Sequence, residues 1–207
     1  MTPPALNQNK PPGVTGVILV GGQSRRMGQD KALLEFRGRT LFQVNLAAIR
    51  EALSLLFLVG DRPERFAGVG LPVYPDIYPG SALGGLYTGL VRARTSHIFV
   101  ASCDLPYPSA PLIRHLAALA PGNDVVVVRS KGGYEPLFAI YSQACSRPIL
   151  AQLRAGNYCI FDFYSHVTTR IVTLEEIAHL GDPERLFLNL NTPEEFRRSS
   201  QESRTCP

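Results

Sequence analysis

Six short apolar runs, spaced along most of the chain, are the feature that most constrains its fold. Each run is four to seven residues long, which is the length of a strand rather than of a helix. A continuous apolar run of this length is typical of a strand that is buried on both faces. The runs cover residues 14–20, 55–59, 71–74, 98–101, 124–128 and 137–141.

The segments between these runs carry apolar residues at helical spacing. Predicted helices begin at Leu41 and Thr192 and cover residues 83–94, 109–119 and 143–155. Strands that alternate with helices predict an α/β domain with a three-layer, Rossmann-like fold, in which a mainly parallel sheet has helices on both faces. Ligands of such sheets bind beyond the carboxyl ends of the strands. The loops expected to form a binding site are therefore those after Val20, Val59, Tyr74 and Ala101.

Length and composition fit one folded domain. The chain has 207 residues, of which 45% are hydrophobic and 18% are charged, a balance that excludes an unstructured chain. We expect a flexible leader over residues 1–13, a single domain over residues 14–198 and a flexible tail over residues 199–207. The sequence shows neither a signal peptide nor an apolar run long enough to cross a membrane, so the expected location is the cytoplasm.

The distribution of charge argues against a nucleic-acid partner. The net charge of the chain is +4. Lys10 and three arginines after position 196, offset by Glu202, account for +3 of it, so residues 13–196 carry only +1. A charge this small does not form the broad basic surface that follows a phosphate backbone.

The loop after the first predicted strand combines glycines with cations. Residues 21–31 read Gly-Gly-Gln-Ser-Arg-Arg-Met-Gly-Gln-Asp-Lys. Glycines let backbone N–H groups approach a ligand closely, and Arg25, Arg26 and Lys31 supply the positive charge that a polyphosphate needs. The loop contains neither GxxxxGK[ST] nor GxGxxG, the two common nucleotide-binding patterns. The sequence therefore predicts a polyphosphate-binding loop of a different type.

A carboxylate, Asp104, stands three residues after the end of the fourth apolar run. A side chain at the carboxyl end of a buried strand faces the crevice in which ligands of α/β sheets bind. Nucleoside triphosphates are accompanied by Mg²⁺, which is held by one or two carboxylates together with phosphate oxygens and water. We therefore predict that Asp104 is a magnesium ligand.

Four motifs together resemble the molybdenum cofactor guanylyltransferase family, over residues 17–196. They are Arg26-Met27-Gly28 with Asp30-Lys31, the loop 79–85, Cys103-Asp104-Leu105-Pro106 and the segment 189–195. The resemblance implies a nucleotidyltransferase fold and transfer of GMP from GTP to the terminal phosphate of molybdopterin, with release of pyrophosphate and Mg²⁺ as cofactor. It also implies molybdenum-cofactor assembly proteins, and acceptor molybdoenzymes or their chaperones, as partners, with no role for nucleic acid or membrane.

The same resemblance assigns individual residues. It implies that Arg26, Lys31 and Asp104 are catalytic, that Asp104 holds the metal, and that the segment 131–137, with Lys131 and Tyr134, faces the acceptor. The implied nucleotide contacts are Leu19, Val20, Gly21, Gly22, Lys31, Asp76 and Asp104, followed by Gly28, Asn189 and Asn191. Asn191 is equally well explained as a cap of the helix that is predicted to begin at Thr192. Asn189 and Asn191 are expected at the end of a last strand.

Two departures from the family pattern leave alternatives open. Val20 stands where the family has alanine, and Val59-Gly60-Asp61 stands where the family has an asparagine for the nucleotide, so Asp61 is a candidate substitute. The chain could be another nucleotidyltransferase of this fold, such as the cytidylyltransferase for the same cofactor or a sugar-phosphate nucleotidyltransferase. A non-catalytic nucleotide-binding protein is the alternative from another class, although Lys31 and Asp104 are both present.

Overall fold

A mixed sheet of eight strands organises the fold in the computed structural model, which describes residues 11, 13–21, 34–36 and 38–188. Strands β2 and β3 form a separate two-stranded hairpin. In chain order the strands are β1 Val14–Leu19, β2 Glu35–Phe36, β3 Arg39–Thr40, β4 Leu55–Val59, β5 Val73–Tyr74, β6 His97–Ser102, β7 Val125–Ser130, β8 Gly133–Tyr134, β9 Phe138–Ser142 and β10 Thr169–Thr173.

The strand order across the sheet is β10-β7-β9-β6-β1-β4-β5, with β8 paired to β7. Strand β1 is parallel to both β4 and β6, β4 is parallel to β5, and β7 is parallel to β10. Strand β9 is antiparallel to its neighbours β6 and β7. The predicted mainly parallel sheet is thus confirmed, with β9 as an antiparallel strand inside it.

Helices cover both faces of the sheet. They are α1 Leu41–Ala52, α2 Ala82–Arg92, α3 Ala110–Ala118, α4 Ser146–Arg154, α5 Leu174–Ile177 and α6 Pro183–Leu186. Helices α1 and α3 pack on one face, and α2, α4 and the 3₁₀ helix Ile160–His166 pack on the other. Val126 and Val128 enter the first core, whereas Val125 and Val127 enter the second. Successive side chains of a strand point to opposite faces, so the uninterrupted valine run follows from having a core on each side. The predicted three-layer architecture is confirmed.

Helix starts follow the capping residues in the sequence. Ser109 is the N-cap of α3, where its Oγ accepts a hydrogen bond from Leu112 N at 3.3 Å. Thr40 and Gln43 form a reciprocal capping box at the start of α1. The helix predicted over residues 143–155 begins instead as the 3₁₀ turn Gln143–Cys145 before α4. Among the helices that the structure describes, none is both long enough and apolar enough to span a membrane.

The expected last strand ending at Asn189 and Asn191 falls on residues outside the described part of the chain. Within the described residues, the last strand is β10, which ends at Thr173, and α6 Pro183–Leu186 is the last helix. The carbonyl of Asp182 accepts hydrogen bonds from Arg185 N and Leu186 N, and proline at the first helical position favours a helix start there. The final helix predicted from Thr192 lies outside the described residues.

Three glycines on α2 allow the helix to lie close to the sheet. A Cβ atom at Gly85 would stand 3.1 Å from a methyl carbon of Leu19, and one at Gly89 would stand 3.1 Å from a methyl carbon of Val17. A Cβ at Gly84 would fall on the carbonyl oxygen of Tyr78, in the loop that leads into α2. The glycines therefore bring α2 and the loop before it against β1, although glycine is a poor helix former.

We predict that Gly84→Ala destabilises the fold by about 1–3 kcal/mol, because the added methyl group collides with backbone that has no room to move. The measurement is the free energy of unfolding in urea. Gly68→Ala is the matched control, since nothing lies within 4 Å of a Cβ at that position; it should change stability by less than about 0.5 kcal/mol. Equal effects of the two substitutions would contradict the close packing of α2.

Candidate active site

The carboxyl ends of β6, β1, β4 and β5 lie side by side at one edge of the sheet. The register pairs Leu19 with both Val59 and Ser102, and Val59 with Tyr74. Backbone hydrogen bonds extend this pairing beyond the strands, from Val20 N to Val59 O at 2.8 Å and from Gly60 N to Tyr74 O at 3.0 Å. The loops that follow these strands therefore leave the sheet next to one another.

This edge contains every predicted site residue that the structure describes. Those residues are Leu19, Val20, Gly21, Asp76 and Asp104, together with the candidate Asp61 and the acceptor-side candidates Lys131 and Tyr134. The other predicted site residues lie outside the described residues: Gly22, Arg26, Gly28, Lys31, Asn189 and Asn191. The structure thus brings together the nucleotide-side residues that follow β1 and β5 with the carboxylate that follows β6.

Gly60 is required by the close approach of the chain segments after β1 and β4. A Cβ atom at this position would stand 2.8 Å from Cγ2 of Val20 and 2.9 Å from the backbone N of Gly21. The Val20 side chain packs against the core under α1 and α3. Its backbone therefore stays at the edge of the sheet, and replacing the family's alanine with valine adds bulk to the core.

Asp76 is held in place by the loop and by helix α2. Its Oδ1 accepts hydrogen bonds from Thr88 Oγ1 at 2.8 Å and from Tyr78 N at 3.1 Å. Partial burial raises the pKa of Asp76, the two hydrogen bonds lower it, and the negative charge of Asp61 raises it. Asp61 and Asp76 therefore stand close enough to interact. Sequence reasoning missed Thr88, whose only signal is a hydroxyl on the glycine-rich face of α2.

Asp104 is anchored on both sides. The Ser102 hydroxyl donates a hydrogen bond to Asp104 Oδ1, and the carbonyl of Leu105, the next residue, accepts one from Asn45 Nδ2 at 2.8 Å. These contacts fix the carboxylate from the strand and the following peptide from helix α1. The sequence predicted Asp104 from its place after a strand, but it gave no indication of the bond from Asn45.

A second carboxylate, Glu135, lies in the connection that leads into β9, near enough to Asp104 for their charges to interact. Burial raises the pKa of Glu135, a hydrogen bond from Ser130 lowers it, and the negative charge of Asp104 raises it. Ser130 Oγ donates that hydrogen bond to Glu135 Oε1 at 2.6 Å. Ser102 N bonds to Leu137 O at 3.1 Å, which joins the two segments. Glu135 was not among the predicted site residues.

The residues at this edge fit a metal ion that is shared with a polyphosphate. Asp104 and Glu135 offer carboxylate oxygens, which Mg²⁺ prefers. Among the described residues, no three His, Cys, Asp or Glu side chains are grouped closely enough to hold a metal on their own. A metal that takes its remaining ligands from phosphate and water needs only one or two carboxylates.

Aromatic side chains line the segment on the other side of Asp104. The ring of Tyr134 lies 6.0 Å from that of Phe161 and 5.6 Å from that of Tyr164, and the Arg129 guanidinium carbon lies 5.9 Å from the centre of the Tyr134 ring. Phe161 is 49% exposed. Lys131 lies in the turn between β7 and β8. This arrangement can stack a planar group and attract an anion.

The sequence is similar to those of known proteins. The family model for the MobA-like NTP transferase domain matches residues 16–168. A relative from Pelotomaculum thermopropionicum, named probable molybdenum cofactor guanylyltransferase, is 37% identical over 92% of this chain and 95% of its own length.

Solved structures share the fold. Molybdopterin-guanine dinucleotide biosynthesis protein A from Archaeoglobus fulgidus has a TM-score of 0.80 at 19% identity, over 93% of this chain and all of that one. A protein from Mycobacterium tuberculosis, solved in complex with manganese, has a TM-score of 0.66 at 19% identity, over 91% of this chain and 98% of that one.

We predict that Asp76→Asn stabilises the protein at neutral pH. Because the folded-state pKa of Asp76 is raised, this group favours folding below its unfolded pKa of about 3.9, and that contribution is lost as the pH rises through the folded pKa. Asparagine keeps an acceptor for Thr88 and Tyr78 without the charge. Urea unfolding over a pH series should show a gain that grows with pH.

Asp124→Asn is the control with the opposite sign. Hydrogen bonds from Ser142 Oγ and Thr168 N hold the pKa of Asp124 below its ordinary value. Its contribution is present above the unfolded pKa and is lost as the pH falls through the folded pKa. Asp124→Asn should therefore destabilise the protein at neutral pH, with a smaller effect in acid. If both variants changed the free energy of unfolding at neutral pH in the same direction, the environments assigned to Asp76 and Asp124 would be wrong.

Proposed function

This chain belongs to the MobA-like NTP transferase family, and on that premise we propose that it transfers GMP from GTP to the terminal phosphate of molybdopterin. The products are the guanine dinucleotide form of the cofactor and pyrophosphate. A relative that is 37% identical carries the name of this activity, which supports the proposal. We expect the reaction to take place in the cytoplasm, where GTP is supplied, and to serve acceptor molybdoenzymes through their assembly proteins or chaperones.

The position of Asp104 within the sheet is the observation that supports this function best. Asp104 follows β6, which lies between β9 on one side and β1 on the other. Gly21, Asp61 and Asp76 follow strands on the β1 side, whereas Tyr134 and Glu135 belong to the connection that leads into β9. A metal-binding carboxylate therefore stands between two binding regions, as a transfer between two substrates requires.

The two regions are assigned to the two substrates by their chemistry. The nucleotide lies against the backbone of Leu19, Val20 and Gly21 and beside Asp76. The family resemblance also assigns Gly22, Gly28, Asn189 and Asn191 to nucleotide binding. The planar pterin of the acceptor lies against the ring of Tyr134 and the exposed Phe161, with Lys131 near its phosphate.

The reaction needs alignment and charge stabilisation more than a general base. The acceptor is a phosphate monoester with a second pKa of about 6, so its attacking oxygen is already ionised at neutral pH. That oxygen forms a bond to the α-phosphorus of GTP, while the bond from this phosphorus to the bridging oxygen breaks and pyrophosphate leaves with the electron pair. Arg26 and Lys31 neutralise the charge that develops on pyrophosphate.

Mg²⁺ is the proposed metal. When bound, it supplies positive charge to the phosphate oxygens and makes the α-phosphorus a better electrophile. Asp104 would hold it, with Ser102 orienting the carboxylate. The negative charge of Asp104 contributes to the raised pKa of Glu135, so a cation held by Asp104 would also offset the repulsion between the two carboxylates.

We also propose that the Asp61 carboxylate recognises the guanine base of GTP through hydrogen bonds. Its carboxylate follows β4, is exposed, and lies with one oxygen 3.8 Å from the position that a Cβ of Gly21 would occupy. Guanine presents two neighbouring donors, N1–H and the N2 amine, which a carboxylate accepts as a pair. Adenine N1 and cytosine N3 are acceptors at the matching edge, so a carboxylate repels them.

We predict that Asp104→Ala keeps the fold and removes most turnover, by a factor on the order of 10² or more. The assay combines pure protein, GTP, Mg²⁺ and molybdopterin, and measures pyrophosphate and the dinucleotide product. Glu51→Gln is the control, because Glu51 is an exposed residue near the end of α1, bound to Arg114 at 3.4 Å. A well-folded Asp104→Ala variant with wild-type turnover at saturating Mg²⁺ would refute the role of Asp104.

Base choice gives a separate prediction. The wild-type protein should prefer GTP to CTP and ATP, and should prefer GTP to ITP, which lacks the N2 amine, by about 10-fold or more. Asp61→Ala should lower kcat/KM for GTP and make GTP and ITP nearly equal. If the wild-type protein prefers CTP, the transferred group is CMP and the proposed guanylyl transfer is wrong. If Asp61→Ala leaves the ratio of kcat/KM for GTP to that for ITP unchanged, Asp61 does not recognise the base.

A further inference from the structure

Three segments of the chain meet at Tyr107, three residues after Asp104. The ring of Phe36, in the β2–β3 hairpin, lies edge-on to the Tyr107 ring with centres 5.5 Å apart. The guanidinium carbon of Arg185, on α6, lies 5.9 Å from the centre of the same ring. Phe36 and Leu41 are almost completely buried in this small cluster, which is separate from the two main cores.

The segments that meet in this cluster are close in sequence to predicted site residues. The hairpin begins four residues after Lys31, and Arg185 stands four residues before Asn189. The cluster around Tyr107 therefore joins three segments. They are the β2–β3 hairpin, which follows the glycine-rich loop in sequence, the loop that carries Asp104, and α6, which precedes Asn189 and Asn191 in sequence. Within the described residues, β2 and β3 pair only with each other, so this cluster is a main attachment of the hairpin to the fold.

A buried amide makes the same connection a few residues away. Asn45 is 0% exposed, and its Nδ2 donates one hydrogen bond to Leu41 O at 2.9 Å and another to Leu105 O at 2.8 Å. Both amide hydrogens are thus used, while Oδ1 is buried and has no hydrogen-bond partner among the described residues. A buried acceptor without a partner destabilises a fold. An apolar residue would fill this position without that cost, so packing alone does not account for the asparagine.

We propose that Asn45 and Tyr107 are positioning residues, which fix the loop that carries Asp104 against helix α1, the β2–β3 hairpin and α6. Asn45 holds the peptide that follows Asp104, and Tyr107 holds the loop against the hairpin. The inference rests on the proposed function, since it assumes that Asp104 binds the metal of the Mg·GTP complex. It adds two residues that act through Asp104 without contact with a substrate.

The test compares Asn45→Leu and Tyr107→Leu with the wild-type protein. Isothermal titration gives the affinity for Mg·GTP and the Mg²⁺ concentration at half-saturation, without any acceptor. Both variants should raise that Mg²⁺ midpoint by about 10-fold or more and lower kcat by a factor on the order of 10², with a smaller change in the KM for molybdopterin. Circular dichroism should show a retained fold, and Tyr107→Leu keeps the test decisive if Asn45→Leu does not fold.

Matched variants separate positioning from stability. Ile149→Ala removes bulk from a fully buried site on α4, on the opposite face of the sheet, so it should lower the melting temperature and leave the Mg²⁺ midpoint unchanged. In an Asp104→Ala background, Asn45→Leu should shift the midpoint no further, because the two act through one group. Wild-type midpoints in Asn45→Leu and Tyr107→Leu, or an equal shift in Ile149→Ala, would overturn the inference.

The inference and the proposed function can fail separately. If the wild-type protein binds Mg·GTP but makes no dinucleotide from molybdopterin, the proposed acceptor is wrong, while the Mg²⁺ midpoints still decide the role of Asn45 and Tyr107. If product forms and the midpoints do not move, the proposed function stands and the positioning role is rejected. A wild-type protein that binds no Mg·nucleotide overturns both.

Discussion

Backbone pairing that continues past the strand ends is the constraint on which the site depends. Val20 N bonds to Val59 O and Gly60 N bonds to Tyr74 O, so the loops after β1, β4 and β5 leave the sheet level with one another. Gly60 makes this possible, because a side chain there would collide with Val20 and with the backbone of Gly21. Backbone pairing between the strands therefore sets the positions of Asp61 and Asp76 relative to the strand ends. Such pairing is more rigid than the packing of loops. A binding edge built in this way needs little reorganisation when a ligand arrives.

Repulsion between carboxylates is the second property of this edge. Burial raises the pKa of Asp76 and of Glu135, and the negative charges of Asp61 and Asp104, respectively, raise them further. A bound cation or hydrogen-bond donor would offset this unfavourable negative charge. Under the proposed function the phosphates of a nucleotide add further negative charge here, so we expect the metal–nucleotide complex to bind in preference to the free nucleotide.

Strands β1, β4, β6, β7 and β9 could be predicted because they are largely buried on both faces, which leaves apolar runs in the sequence. Strands β2, β3 and β8 are two residues long and carry no periodic signal, and β10 is largely half-exposed, so its Thr-Arg-Ile-Val-Thr sequence forms no such run. Asp104 could be predicted because it stands two residues after the end of a buried strand. Thr88 and Asn45 could not, since their partners Asp76 and Leu105 lie 12 and 60 residues away, and a bond between distant residues leaves no local pattern.

The antiparallel direction of β9 bears on how such a domain can diversify. A parallel partner for β7 would need a long crossover, usually a helix packed on the sheet. Because β9 runs the other way, the chain returns through a short connection, residues 131–137, at the same edge as Asp104. This connection can change length or composition without repacking either helical layer, whereas changes after β1 or β4 disturb the register that sets the nucleotide side. After gene duplication, a protein of this fold can therefore change the acceptor that it binds through residues 131–137, while the loops after β1 and β4 keep the same nucleotide.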